Sequence, residues 1–304
     1  MKVGLPSALS NGFFAMHPEK AQFYLPIAIS ILDGTFKGFD GTLSEEPAQP
    51  KFYVPSSHET VSASLFEAET NAWRYDGFHN APKGSVAIVP IQGAIMKANY
   101  CGAMGTKALT QVIKDADASD NISSILLDMN TPGGEVFGTK ELSDAIGNSK
   151  TPIVAHISEG ICASGGMYVA CKADRILMHQ PTDMIGSIGV YTTIIDPRGA
   201  LEKKGIKVVT VYSPTSNAKN EEWRAIFDNE EADTSLMEER LKFMDTIFMN
   251  QVREGRGSKL KEEALQGGMF FTQQAIDNGL ADGQATFDEA IEMCISLSKH
   301  SITI

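Results

Sequence analysis

The run Ile161-Cys162-Ala163-Ser164-Gly165-Gly166-Met167-Tyr168-Val169-Ala170 places one hydroxyl between an apolar β-rich segment and a helix start. Upstream, Thr151 to Ile157 reads as a buried strand, and Met167, Val169 and Ala170 carry apolar side chains into a helix. A serine on such a turn is expected to present an exposed hydroxyl at the helix N-terminus. There, backbone N–H groups without intrahelical acceptors favour negative charge on a reacting oxygen. That setting suits a serine nucleophile. The same residues also fit a plain capping turn, with Ser164 as the N-cap and the glycines allowing close packing.

A tetrahedral intermediate needs oxyanion donors. Ser123 to Met129 reads as a second buried strand, running into Asn130-Thr131-Pro132-Gly133-Gly134-Glu135 and then a helical stretch over 136–146. A Pro-Gly-Gly turn exposes successive N–H groups without side-chain obstruction. At one edge of a parallel sheet, Gly133 or Gly134 could stand beside Gly165 and form an oxyanion hole.

The nucleophile also needs a base. Of the six histidines, His156 lies on the strand before Ser164 and His179 follows the strand-like Arg175-Ile176-Leu177-Met178. Neither carries a local catalytic signature. Lys219 is the better base. The β-rich run Val208 to Tyr212 opens into the polar loop Ser213-Pro214-Thr215-Ser216-Asn217-Ala218-Lys219-Asn220. A lysine drawn into a dry site loses its proton more readily, because burial disfavours the ammonium form, and it then serves as base without a carboxylate. The plain alternative is a solvated surface charge.

Taken in order, these pieces resemble the signal peptide peptidase A (protease IV) family of serine peptidases. The resemblance rests on Val86-Ala87-Ile88-Val89-Pro90-Ile91 with Gly93, then Thr131-Pro132-Gly133-Gly134 and Ala163-Ser164-Gly165-Gly166-Met167-Tyr168. It continues through Ala173-Asp174-Arg175-Ile176, Gly186-Ser187-Ile188-Gly189-Val190, the Lys219 loop, and Phe270-Phe271-Thr272 to Gly279-Leu280-Ala281-Asp282. It covers roughly residues 84–290. Several motifs in one order are far more specific than any one alone.

The resemblance implies an α/β fold of the ClpP/crotonase-like type: a repeated β-β-α superhelix with a mainly parallel sheet flanked by helices. It implies a Ser164–Lys219 dyad, an oxyanion hole from Gly133, Gly134 and Gly165, and Ser187 orienting the lysine amine. No cofactor or metal is implied. The lysine loop departs from the family pattern, having no glycine and Lys219 as its single lysine; Lys97 is a distant second candidate.

The organisation expected is an N-terminal extension over 1–80, a peptidase core over 81–290 and a tail over 291–304. Phe13 to Leu32 has a partly helical reading interrupted by Pro18 and Pro26, and residues 33–60 read as a linker or arm. The most apolar N-terminal piece, Phe23 to Leu32, is too short to span a bilayer. This anchor-free layout resembles the tailed-phage branch of the family, which acts in capsid maturation, and implies a cytoplasmic protein, in the host cytoplasm or the prohead if it is viral. Protein or peptide substrates, a homo-oligomer, and capsid or scaffold partners are expected.

Composition agrees with an α/β enzyme: 304 residues, 42% hydrophobic, can bury a full core. The formal charge of −12, without a basic stripe, speaks against direct nucleic-acid binding. Cys101, Cys162, Cys171 and Cys294 lack metal spacing, and Cys162 and Cys171 are expected to be buried thiols. Leu109, Val112, Ile113 and Ala116 mark an amphipathic helix, and Met237, Leu241, Met244, Phe248 and Val252 form a stripe on a long one, widened by Leu236, Phe243 and Ile247. That stripe packs on the chain's own core or on a second subunit. Two rival functions share these features: a catalytically silent capsid- or scaffold-binding relative, and a crotonase-type acyl-CoA enzyme.

Overall fold

Parallel strands covered on both faces are continuous apolar runs, and four segments of this chain have that character. The computed structural model describes residues 14–16, 48–63, 65–67, 72–74, 76–99, 103–194, 196, 198–229 and 231–301. In chain order the strands are β1 (Phe14–Met16), β2 (Lys51–Val54), β3 (Glu59–Ser62), β4 (Leu65–Glu67), β5 (Ala72–Arg74), β6 (Ser85–Gln92), β7 (Ile122–Thr131) and β8 (Gly133–Glu135). They continue with β9 (Ile153–Ala163), β10 (Arg175–Met178), β11 (Met184–Gly186), β12 (Met269–Phe271) and β13 (Gly283–Gln284). The helices are α1 (Thr106–Asp117), α2 (Thr139–Gly147), α3 (Gly165–Ala170), α4 (Arg198–Lys203), α5 (Glu221–Phe227), α6 (Ser235–Arg256), α7 (Thr272–Asp277) and α8 (Phe287–Ser301).

The main sheet runs β12-β11-β9-β7-β6-β2-β3. Pairings β6·β7, β7·β9, β9·β10 and β9·β11 are parallel, while β12, β2 and β3 add antiparallel edges. The long β9 carries β10 on its first half and β11 on its second. The fold is therefore α/β with a mainly parallel sheet flanked by helices, as the sequence implies.

Period-two alternation sorts the side chains. Val86, Ile88, Leu126, Val154 and Leu177 face Ala290, Ile291 and Cys294 of α8. Their sequence neighbours Ala87, Val89, Ile125, Leu127, Ile153 and Ala155 join the larger core with Leu109, Val112 and Ile113 of α1 and Phe248 and Val252 of α6. Each strand is thus sandwiched between two helical layers, which is why its sequence shows no polar face.

Two boundaries differ from the sequence reading. Part of the expected arm is sheet: β2 pairs with β6 through Lys51↔Ile88, Phe52↔Ala87 and Tyr53↔Val86, and Phe52 and Val54 are buried. The tail expected from residue 291 is instead helix α8 through Ser301, held by its apolar face against the sheet. Most of the partly helical reading over Phe13 to Leu32, and the linker from 33 to 47, lie outside the described residues, as does Cys101.

Among the described residues, no helix is long and apolar enough to cross a membrane. Cys162, Cys171 and Cys294 are free and buried. Burial pushes the Cys171 and Cys294 thiols up to about 12 and Cys162 higher still, so they remain neutral packing groups.

Candidate active site

The C-terminal ends of β7, β9 and β11 meet at Ser164, the edge where open α/β sheets place their ligands. Ser164 follows β9 directly and precedes α3. Its backbone has φ +52° and ψ −113°, a left-handed conformation that costs a non-glycine residue of order 1–3 kcal/mol. The conformation is held by Ser164 N–H donating to Gly186 C=O at 2.8 Å and by Tyr168 N–H donating to Ser164 C=O at 3.0 Å. The side chain makes no capping bond to the helix it precedes. Instead the hydroxyl donates to Gly189 C=O at 3.3 Å. The plain capping reading of this serine therefore fails: strain is spent on a hydroxyl the helix does not use.

The expectation of an exposed hydroxyl is corrected, because Ser164 is only 2% exposed. The reason lies in the turn Gly186–Gly189, which folds over it. An apolar hollow opens beside the serine, lined by Val136, Gly165, Tyr168, Val190, Met244 and Phe248. Tyr168 and Phe248 meet edge to face at 5.2 Å, and burial raises the Tyr168 phenol to about 12. The hollow has a cationic margin at Lys140, whose ammonium pairs with Asp144 at 2.6 Å.

The glycines explain how closely these pieces approach. A Cβ on Gly166 would lie 2.6 Å from Thr131 Cγ2, so only glycine lets α3 pack against the end of β7. A Cβ on Gly134 would lie 1.9 Å from Ile95 O, so only glycine lets β8 run alongside Ile95. Gly165, as the first residue of α3, has an N–H with no intrahelical acceptor. Gly133 N–H donates to Thr131 Oγ1 at 3.1 Å, and that hydroxyl donates to Gly93 C=O at 2.7 Å. Gly133 C=O and Glu135 N–H bond Ile95 at 2.9 and 2.8 Å. Strand alternation turns the N–H and C=O of the intervening Gly134 to the opposite side.

Ser187 stands in the same turn, half-buried at φ +50°, with its N–H donating to Gly268 C=O at 2.7 Å. The structure thus brings Ser164, Gly165, Ser187 and the Gly133–Gly134 turn to one sheet edge. It does not bring Lys219 to Ser164 as a hydrogen-bond partner. Lys219 is exposed in a turn closed by its N–H to Ser216 C=O at 3.1 Å, just before Asn220 caps α5 in a left-handed conformation. The β-rich run leading to it forms no strand; Val208, Val209 and Val211 are 59, 70 and 87% exposed. Lys97 is also exposed, its N–H donating to Glu135 Oε2 at 2.8 Å.

The histidines serve the other helical layer. His156 is fully buried, with Nε2 2.9 Å from Ala285 C=O and its ring against His179 and Phe287. Burial lowers its pKa, which keeps it neutral.

Helix α6 contributes more than the apolar stripe foretold. Met237, Phe248 and Val252 bury into the chain's own core, Met244 and Ile247 line the hollow, and Phe243 and Ile247 remain 69 and 44% exposed. Asp245 stands against the Gly186–Gly189 turn: a Cβ on Gly189 would be 3.4 Å from its Oδ1. Burial raises the Asp245 carboxyl, partly offset by a hydrogen bond from the backbone of Val190. A single carboxylate between Met244 and Thr246 gives no sequence signal for that role. Arg256, at the end of α6, anchors the helix through Nη1 to Asp282 Oδ2 at 3.1 Å and Nε to Gly279 C=O at 2.9 Å. Among the described residues, no group of three His, Cys, Asp or Glu side chains is placed to hold a metal ion.

Comparison with known proteins matches residues 145–300 to the profile of Peptidase family S49. Capsid assembly protease C of Escherichia phage lambda is 27% identical over 214 residues, covering 68% of this chain and 48% of that protein. Head-tail preconnector protein GP5 of Enterobacteria phage P21 is 25% identical over 265 residues, covering 83% of this chain and 52% of that protein. The chain spans about half the length of these relatives. Among solved structures, a ClpP1 mutant from Listeria monocytogenes superposes with a TM-score of 0.40 at 14% identity, covering 67% of this chain and 94% of that one.

Proposed function

The chain belongs to peptidase family S49, and on that premise we propose that it is a serine endopeptidase acting through an acyl-enzyme on Ser164. The observation that carries this reading is the strained, non-capping Ser164 beside an apolar hollow and a glycine-lined strand edge. Ser164 Oγ attacks the peptide carbonyl, with Lys219 accepting its proton and returning it to the leaving amine; water then releases the acyl group. Gly165 N–H receives the developing oxyanion together with Gly133 N–H, which leaves Thr131 Oγ1 to do so, while Gly134 N–H and C=O hold the peptide main chain. Ser187 orients the lysine amine.

A lysine acts as a base only once deprotonated, and burial promotes that state. The exposed turn of Lys219 therefore has to be covered before the dyad forms. A second copy of this chain is the cover we infer, because Val208, Val209 and Val211 ahead of the turn, and Phe243 and Ile247 on α6, offer apolar surface to one. The substrate class we infer is head or scaffold proteins, in keeping with the names of the two phage relatives, and the setting would then be host cytoplasm or prohead.

The hollow suits an apolar side chain on the acyl side of the cut. Digestion of a denatured-protein peptide mixture, read by mass spectrometry, tests both points. Cleavage after apolar residues is expected from the wild type and none from Ser164→Ala. Val190→Trp, which fills the hollow, should shift the preference to small residues by about 10–100-fold. Cleavage with no preference at that position would remove the hollow from substrate binding.

A second reading has one observation in its favour, the exposed Lys219. A silent relative that binds capsid or scaffold proteins would keep that lysine in solvent. Failure of every peptide in the mixture, with head-protein binding retained, would select it.

A further inference from the structure

Strand β1 lies where a substrate would. It pairs antiparallel with β8 in the register Phe14↔Glu135, Ala15↔Gly134, Met16↔Gly133. One edge of β8 is already occupied by Ile95, through Gly133 C=O and Glu135 N–H. The edge that β1 takes is the one to which Gly134 turns its N–H and C=O. That edge leads straight to the nucleophile, because β8 follows Thr131, against which Gly166 of α3 packs.

The direction of β1 matters as much as its place. Passing from Phe14 to Met16, the chain moves from Glu135 toward Gly133, the end of β8 nearer Ser164. A peptide entering as acyl donor must run this way, its residues ahead of the cut laid on the strand and its reacting carbonyl arriving at the oxyanion donors. Main-chain pairing to an open strand edge reads any extended sequence, with side-chain chemistry adding selectivity. The three residues of β1 are Phe, Ala and Met, apolar like the residues that line the hollow beside Gly165.

We propose that Phe14–Met16 is seated as the acyl side of a substrate and that the chain cuts its own peptide bond after Met16, in cis. The proposal rests on the peptidase reading of Ser164. In the step, Ser164 Oγ bonds the Met16 carbonyl carbon, and the bond to the His17 nitrogen breaks. That nitrogen takes the proton that left the serine. Water then hydrolyses the Met16–Ser164 ester, freeing a Met16 carboxylate and leaving His17 as a new amino terminus. Until the cut is made and the segment leaves, β8 is closed to other peptides.

The test follows the purified full chain by intact mass and N-terminal sequencing. A separate reporter, acetyl-Phe-Ala-Met-aminomethylcoumarin, and a serine-directed phosphonate run alongside. The expected product begins His17-Pro18-Glu19 and has lost residues 1–16, with a first-order rate that no longer changes with protein concentration once the chain is fully assembled with its second copy. Ser164→Ala should stay whole. Ala15→Pro, which removes the N–H facing Gly134, should slow the cut by about tenfold while reporter turnover persists. A chain that labels at Ser164 and turns over the reporter, yet never yields the His17 terminus, overturns self-cleavage and leaves the peptidase reading standing. Cutting of an added Ser164→Ala chain at the wild-type chain's own rate overturns the seat in cis. No labelling and no reporter turnover would remove the peptidase reading, and self-cleavage with it.

Discussion

The two halves of the proposed dyad sit in opposite environments. Ser164 is buried at the joint of β9 and α3, its backbone conformation fixed by bonds to Gly186 and Tyr168. Lys219 stands in an exposed turn after a run of exposed valines. A nucleophile gains from being held in one strained geometry, and a buried sheet edge supplies that rigidity. The base gains from being dry, and a loop on an isolated chain cannot supply that. On the proposed mechanism, the nucleophile half is built by the fold, whereas the base half awaits a cover.

The largest effect separates the halves least. Ser164→Ala and Lys219→Ala should each lower kcat by roughly a thousandfold or more, because a nucleophile and its base act as a unit. Steady-state hydrolysis of the reporter peptide checks this, and near-normal turnover in Lys219→Ala would break the pairing of the two regions.

Next in size is the ion pair that anchors α6, and with it the wall of the hollow. Asp282→Asn leaves Arg256 buried without its charge partner and should cost about 3–5 kcal/mol in urea unfolding. Burial by itself would raise the Asp282 carboxyl, but the hydrogen bonds and charges of Arg256 and Lys259 outweigh it and hold the pKa below the usual value. Its contribution is therefore complete above the unfolded carboxylate value of about 3.9 and is lost as pH falls through the lower folded value. The acid limb of the stability profile should flatten in Asp282→Asn.

The last pair sharpens the comparison directly. Leu127→Ala, at a fully buried position of β7, should cost about 2–5 kcal/mol. Val209→Ser, in the run leading to Lys219, should change the stability of the isolated chain by no more than about 0.5 kcal/mol. Equal losses at the two sites would mean that the run before Lys219 is already packed.

What could be read from the sequence follows the same division. Strands β6, β7, β9 and β10 were legible because burial on both faces leaves mainly apolar residues at their centres, and Ser164 was legible because small residues crowd a strand–helix turn. The run Val208 to Tyr212 has equal β propensity but no neighbouring strand in this chain, and propensity without a partner does not make a strand. Strands β1, β2 and β3 are short and paired at long range, so local periodicity gave no warning of them. The contribution of α6 was hidden because Met244, which lines the hollow, and Asp245, which meets Gly189 and Val190, acquire their meaning only from tertiary contact.

The most direct test of the Ser164–Lys219 account is the rate at which a serine-directed phosphonate modifies the purified protein, followed by intact mass with peptide mapping. The account predicts one adduct, on Ser164, absent in Ser164→Ala and greatly slowed in Lys219→Ala. No adduct on well-folded protein, or an unchanged rate in Lys219→Ala, would contradict it.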